Sequence, residues 1–156
     1  MQAHEFDEAG FFGAIEQSGA RVLLIGRRAL VALGMPVLTA DYDLWVHIDD
    51  IELLNGALQP LELHPNHAPA DARARGRYVL ENDEHVDVLV AHAQSTKDGV
   101  RLAFEDAWAR KRRCDTPRFA VWLPSIADLI LTKRWSMRVH DVQDIQFLEA
   151  LRKEEG

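Results

Sequence analysis

A mixed α/β domain of the α+β kind, one sheet with helices packed mainly on one side, is the fold class this 156-residue sequence predicts. Three observations carry that expectation. Short apolar runs rich in branched residues, such as Arg21-Val22-Leu23-Leu24-Ile25, stop at glycine, proline or acidic turns and have the length of strands. Between them lie segments whose apolar residues recur at helical spacing. With 47% hydrophobic and 28% charged residues, the composition is that of one ordinary globular domain, so residues 1–156 are expected to fold as a single unit without a second large domain.

In chain order, Glu5 to Gln17 carries Phe6, Phe11 or Phe12, and Ile15 on one helical face, and Ser18-Gly19 stops it. Arg21 to Ile25 reads as a buried strand closed by Gly26. A short helix follows from Arg27 to Leu33, with Gly34 as its C-cap and Pro36 forbidding continuation. Ala40 to Ile48 alternates as a strand. Asp49 to Leu58 has its acids in the first turn, where the helix dipole favours them. Pro60 to Arg73 is expected to be irregular. Arg77–Glu81 and His85–Val90 flank the turn-like Asn82-Asp83-Glu84, which predicts a β-hairpin with Asp87 in mid-strand. Phe104 to Arg110 suggests a short helix and Phe119 to Leu123 a strand ending at Pro124. Two helices close the chain, one with Ser125 as N-cap, the other from near Asp141 to about Arg152.

A formal net charge of -7 argues against nucleic-acid binding through the overall field, although local patches remain compatible with it. The single cysteine, Cys114, permits no internal disulfide. The first residues have neither a basic start nor an apolar stretch, and no segment reaches membrane-spanning length, so a cytoplasmic protein without membrane contact is the expectation. The seven histidines show no zinc-site spacing; His64 and His67 fall in the irregular segment without cysteine partners.

The chemistry-bearing feature is Asp41-Tyr42-Asp43. On the strand from Ala40 to Ile48 both carboxylates share one face while Tyr42, Leu44, Val46 and Ile48 share the other. Adjacent carboxylates repel by roughly a kcal/mol or more at the dielectric of a protein surface. A divalent cation removes that repulsion, and such oxygen ligands suit Mg2+ or Mn2+. The competing reading places Asp41 in a turn after Thr39, with Asp43 and Asp87 as exposed strand residues. His47 and Trp45 share the face of Asp41 and Asp43. His47 either borders the site or is a sheet-surface residue, and Trp45 either stacks a base or packs under a helix.

Leu24-Ile25-Gly26-Arg27, Asp41-Tyr42-Asp43 and Val86-Asp87-Val88 together resemble the nucleotidyltransferase superfamily, whose pattern is an apolar strand, a Gly-Gly or Gly-Ser turn, a short helix, Asp-x-Asp or Asp-x-Glu, and a later third Asp. The likeness extends through Phe104-Glu105, Leu123 to Lys133 and His140-Asp141-Val142-Gln143-Asp144-Ile145, which look like the C-terminal part of small bacterial members, including those related to abortive-infection toxins. It covers about Arg21 to Leu151. The resemblance implies an enzyme that moves a nucleoside monophosphate from a magnesium-bound nucleoside triphosphate, ATP among the candidates, to an acceptor hydroxyl or amine with release of pyrophosphate. Asp41 and Asp43 would hold the metal on the triphosphate. Asp87 would bind a second metal or take the acceptor proton. Gly26 would let the backbone approach the phosphates.

Arg27 departs from the pattern. It stands where the family has a small residue, so it either blocks the phosphates or contacts them with its guanidinium. The first outcome would leave a catalytically silent binding or regulatory protein, such as one half of a toxin–antitoxin pair. Lys133 falls on the apolar stripe of Ile126, Leu129, Ile130 and Met137. A buried ammonium needs a partner, and either Asp141 and Asp144 on the next helix or an incoming triphosphate would supply it. Arg73, Arg75 and Arg77, and the run Arg110-Lys111-Arg112-Arg113, are either solvated faces or contacts for an RNA or nucleotide acceptor. RNA, protein and small-molecule acceptors, antibiotics included, all remain open. The chain is short for the family, so a homodimer or a partner protein is expected to help complete the site.

Overall fold

The computed structural model describes residues 6–156. Five strands make the central sheet: β1 (Val22–Ile25), β2 (Tyr42–Val46), β3 (His64–Pro65), β4 (Arg77–Glu81) and β5 (His85–Leu89), in the order β1-β2-β5-β4-β3. The sheet is mixed. β2 and β5 run parallel, and every other neighbouring pair is antiparallel. Two small hairpins lie outside it, β6 (Ala93–Ser95) with β7 (Arg101–Ala103), and β8 (Arg112–Asp115) with β9 (Ala120–Leu123).

Seven helices cover this frame among the described residues: α1 (Glu8–Ser18), α2 (Gly26–Ala32), α3 (Ile51–Leu58), α4 (Pro69–Arg75), α5 (Phe104–Ala109), α6 (Ile126–Lys133) and α7 (Val139–Glu154). One sheet face carries Val22, Leu24, Tyr42, Leu44, Val46, Val86 and Val88. It packs into the larger core with residues of six helices, from Phe11 and Phe12 of α1 to Leu148 of α7. The opposite face carries Leu23, Ile25, Trp45 and Leu89 under α5 and its tryptophan neighbours, a smaller cluster. Both faces are therefore dry, which is why β1 is apolar at every position rather than alternating.

Local signals set most element ends. Gly19, left-handed at φ 76°, ends α1, and the Ser125 hydroxyl accepts from Asp128 N at 3.1 Å to cap α6. The expected start of the first helix at Glu5 lies outside the described residues. Two expectations are corrected. The stretch from Pro60 to Arg73 is not irregular throughout: it holds a single 3-10 turn, the short β3 and the start of α4. The signals for α4 were Pro69 in its first turn, alanines within it and Gly76 at its end. The aspartate strand is also shorter than expected, beginning at Tyr42, so Asp41 stands before it. Arg28 explains the late start: its side chain donates to Thr39 O at 2.5 Å and to Asp41 O at 3.4 Å, holding residues 39–41 as a loop against α2. No described helix is long and apolar enough to cross a membrane.

Candidate active site

The parallel pair at the centre of the sheet builds the site. Asp43 of β2 stands in register with Asp87 of β5. In-register neighbours on adjacent strands share a face at the interstrand spacing of about 4.8 Å, so the two carboxylates are side by side. Asp43 is half-buried and Asp87 exposed. Burial, then the negative charges of Asp87 and Asp41, push the Asp43 carboxyl up to about 6, against partial opposition from Lys133 and Arg138. The acids are under-compensated.

β1 brings the third part. Ile25 lies opposite Asp43, and Gly26 follows it at φ +72°, opening α2. A Cβ at Gly26 would lie 2.4 Å from Asp43 Oδ2 and 2.9 Å from Asp43 Cβ. Positive φ and that close approach both demand glycine.

Asp43 and Asp87 floor a cleft of about 890 Å³. One wall comes from α6, α7 and their connection, through Lys133, Ser136, Arg138 and Asp141; the other comes from α4, β4 and the segment before them, through Asn66, His67, Arg75 and Arg77. Asp41 is exposed and does not line the cleft; its amide donates to Thr39 Oγ1 at 3.2 Å, and it reaches the acid pair only as a neighbouring charge. The expected side-by-side strand placement of Asp41 and Asp43 therefore gives way to Asp43 beside Asp87.

Lys133 is buried and bridges the two closing helices. Its Nζ lies 2.8 Å from Asp144 Oδ2 and 3.6 Å from Asp141 Oδ1. The Asp144 contact is an ion pair by distance, but Oδ2 accepts no well-aligned hydrogen bond. Arg27 completes this group: its Nε donates to Asp144 Oδ1 and its guanidinium Nη2 to Gln143 Oε1, each at 3.2 Å. It turns toward α7 and does not line the cleft. Asp141 Oδ2 accepts from Arg138 N at 2.7 Å and from Ser136 Oγ at 3.3 Å, which fixes the α6–α7 connection on the cleft wall.

His47 is not at the site. It lies four residues beyond Asp43, about 13 Å along an extended chain, and outside the cleft. Its Nδ1 accepts from Asp49 N at 3.0 Å, so Nε2 carries the proton given to Glu105 Oε1 at 2.6 Å. Trp45 takes the packing role, edge-on to Phe104 and Trp135, with Nε1 donating to Ala91 O at 2.9 Å. Arg110, Arg112 and Arg113 are spent on Asp128, Glu155 and Glu16. Ser136, Arg138 and Asn66 escaped the sequence reading. They stand in connections, where no periodicity marks a side chain as facing a cleft.

Among the described residues, the metal-type group whose ligand atoms all lie within 4.8 Å of one another is His140, Asp141 and Asp144. Two of these acids already face Lys133, Arg27 and Arg138, so their charge is met within the protein. Asp43 and Asp87 are the opposite case: hard oxygen donors with a raised Asp43 carboxyl and no lysine or arginine in contact, only the exposed His85 Nε2 at 3.3 Å from Asp87 Oδ1, a donor set that fits a small hard dication.

No protein-family model matches the chain, and no curated protein is similar to it. Solved structures are. The antibiotic-resistance factor ANT(2'')-Ia superposes with a TM-score of 0.64 at 12% identity, over 89% of this chain and 78% of that one. The lincosamide antibiotic adenylyltransferase LnuA, solved with lincomycin bound, gives 0.61 at 14%, over 94% and 98%. A Thermotoga maritima protein assigned as a nucleotidyltransferase gives 0.52 at 14%, over 92% and 86%. The chain has the nucleotidyltransferase fold.

Proposed function

We propose that this protein transfers a nucleoside monophosphate from a nucleoside triphosphate to an acceptor hydroxyl or amine. The observation that carries the reading is the in-register pair of Asp43 and Asp87, under-compensated and set against Gly26 at the floor of a large cleft. Asp43 and Asp87, with the exposed Asp41 adding a neighbouring negative charge, would hold Mg2+ or Mn2+, which when bound supplies charge neutralisation for the phosphates. Gly26 leaves the backbone free to approach the triphosphate. Lys133, Ser136 and Arg138 offer donors along the α6–α7 wall, where the leaving pyrophosphate would be held. Asp87, exposed at the floor, would either hold a second metal or take the proton as the acceptor oxygen or nitrogen bonds to the α-phosphorus and the bond from that phosphorus to the bridging oxygen breaks.

The competing, catalytically silent reading depended on Arg27 closing the phosphate approach. Its engagement with Asp144 and Gln143 instead favours turnover. Calorimetric titration of ATP and the other three triphosphates, with and without Mg2+, into wild type and Asp43→Asn/Asp87→Asn tests the site. Metal-dependent binding weakened at least tenfold in the double variant is the expected result; equal binding by both proteins would refute it.

A further inference from the structure

The two walls of the cleft are chemically unlike, and resting on the nucleotidyl-transfer reading we infer that the wall beyond Asp87, formed by Arg75, Arg77 and Asn66, binds the phosphate of a phosphate-bearing acceptor. Backbone structure fixes both arginines there. Arg75 is the last residue of α4 and Arg77 the first of β4, with left-handed Gly76 between them at φ 81°. Gly76 O accepts from Val90 N at 2.9 Å, tying the junction to the end of β5.

Strand register then relates them to the acids. Val79 stands opposite Asp87 and Arg77 opposite Leu89, so Arg77 shares the face of Asp87 one strand over and two residues along. Two residues along a strand and one strand over is a diagonal of about 8 Å between backbones, within the reach of a long side chain.

Of the arginines without an ion pair among the described residues, which also include Arg101, Arg118, Arg134 and Arg152, only Arg75 and Arg77 line this cleft. In a chain of net charge -7, Arg21, Arg27, Arg28, Arg73, Arg110, Arg112 and Arg113 all have carboxylate partners. Arg75 and Arg77 have no ion pair among the described residues, although Arg73, one helical step away, is clamped to Glu52 and Ile48 O. Two cations gathered in one cleft wall that contains no carboxylate repel each other until an anion joins them. Asn66 adds a donor held in place. Its Oδ1 accepts from Val79 N at 2.8 Å and its backbone N–H donates to Val79 O at 2.9 Å, which leaves the side-chain Nδ2 without a protein partner among the described residues. Two guanidiniums and an amide are a donor-only surface, suited to phosphate oxygens and hostile to a cationic acceptor.

A mononucleotide and the end of an RNA chain share this chemistry, and a binding experiment separates them. With Mg2+ and a non-hydrolysable triphosphate analogue present, a ribonucleoside monophosphate, a short labelled oligoribonucleotide and a cationic amino sugar are each titrated into wild type, Arg75→Gln/Arg77→Gln, and the charge-matched control Arg152→Gln/Lys153→Gln. Triphosphate affinity is measured in the same three proteins. The expected result is binding of at least one phosphate probe, weakened tenfold or more in Arg75→Gln/Arg77→Gln alone, with triphosphate affinity there within twofold of wild type. For the oligoribonucleotide, the salt slope also falls by about 1.4, at about 0.7 per lost single-strand contact. Preference for one probe identifies the source. Triphosphate binding without any phosphate-probe binding, probe binding indifferent to the two arginines, or preference for the amino sugar overturns this inference and leaves the transfer reading standing. Loss of triphosphate affinity in Arg75→Gln/Arg77→Gln also overturns it, because the wall would then hold the triphosphate. A wild type that binds no triphosphate at all fells both.

Discussion

Two clusters of acidic residues contribute to the same cleft, Asp43 and Asp87 at its floor and Asp141, with Asp144 behind it, at one wall, and they are built on opposite principles. Asp141 and Asp144 are buried and answered by Lys133, Arg27, Arg138 and the Ser136 hydroxyl. Asp43 and Asp87 are nearer to solvent, stand in register with each other, and have only the exposed His85 ring, 3.3 Å from Asp87 Oδ1, as a side-chain partner. The first group braces α6 against α7 and α2, since breaking a compensated buried pair is costly. The second stores repulsion that Lys133 and Arg138 offset only in part and that a cation from outside would relieve. Acid count and spacing do not distinguish a brace from a binding site; the partners do.

The contrast can be broken from either side. Lys133→Met should have the largest effect. It strands Asp144 beside Arg27 alone and should cost about 3–5 kcal/mol in urea unfolding, with a raised midpoint as the result that would refute a bracing role. Gly26→Ala should come next. The strained φ costs about 1–2 kcal/mol and the new methyl presses on Asp43, so stability and metal-dependent triphosphate binding should fall together.

Asp43→Asn should act in the reverse direction, stabilising the fold while abolishing metal-dependent binding. The sign follows from linkage: a carboxyl raised from 3.8 to about 6 binds more protons folded than unfolded, so stability falls as pH rises between those values and the full cost persists above about 6. The gain from Asp43→Asn should thus be present at pH 7.5, at most about 3 kcal/mol from a shift of some two units, and vanish near pH 4. Thermal unfolding at the two pH values reads it. Metal affinity should climb with pH through the same window, because the ligand must be ionised. Asp41→Asn should be smallest in stability, within about 0.5 kcal/mol, since its side chain is exposed and outside the strand. A larger loss would return Asp41 to a structural role.

The compensated cluster was half legible in the sequence. Lys133 stood out because a lysine on an apolar helical stripe needs a partner, and the acids of the next helix were at hand. Arg27 was not legible as its third member: it lies 117 residues from Asp144, and no local rule carries a side chain that far. In the uncompensated cluster the right acids were visible but one pairing was wrong. Asp-x-Asp spacing places Asp41 beside Asp43 only if the strand reaches Asp41, and Arg28 strapping the preceding loop ends it one residue short. The segment from Pro60 to Arg73 failed differently. Its helix is short and largely alanine, with little apolar periodicity to read, so only its proline and glycine gave it away.

The sequence by itself determined the alternation of strands and helices, the glycine at the β1–α2 turn, the hairpin carrying Asp87 and the capped closing helices, because each is written in propensity, turn chemistry or periodicity within a few residues. Tertiary structure alone decided which charges meet. Register across β2 and β5 set Asp43 against Asp87, and the packing of α2 against α7 drew Arg27 away from the cleft. Burial then raised the Asp43 carboxyl, while the turn at Gly76 left Arg75 and Arg77 in a cleft wall of their own that carries no carboxylate, without an ion pair among the described residues. Electrostatic energy depends on distance and solvent access between groups remote in the chain, and neither exists until the chain has folded.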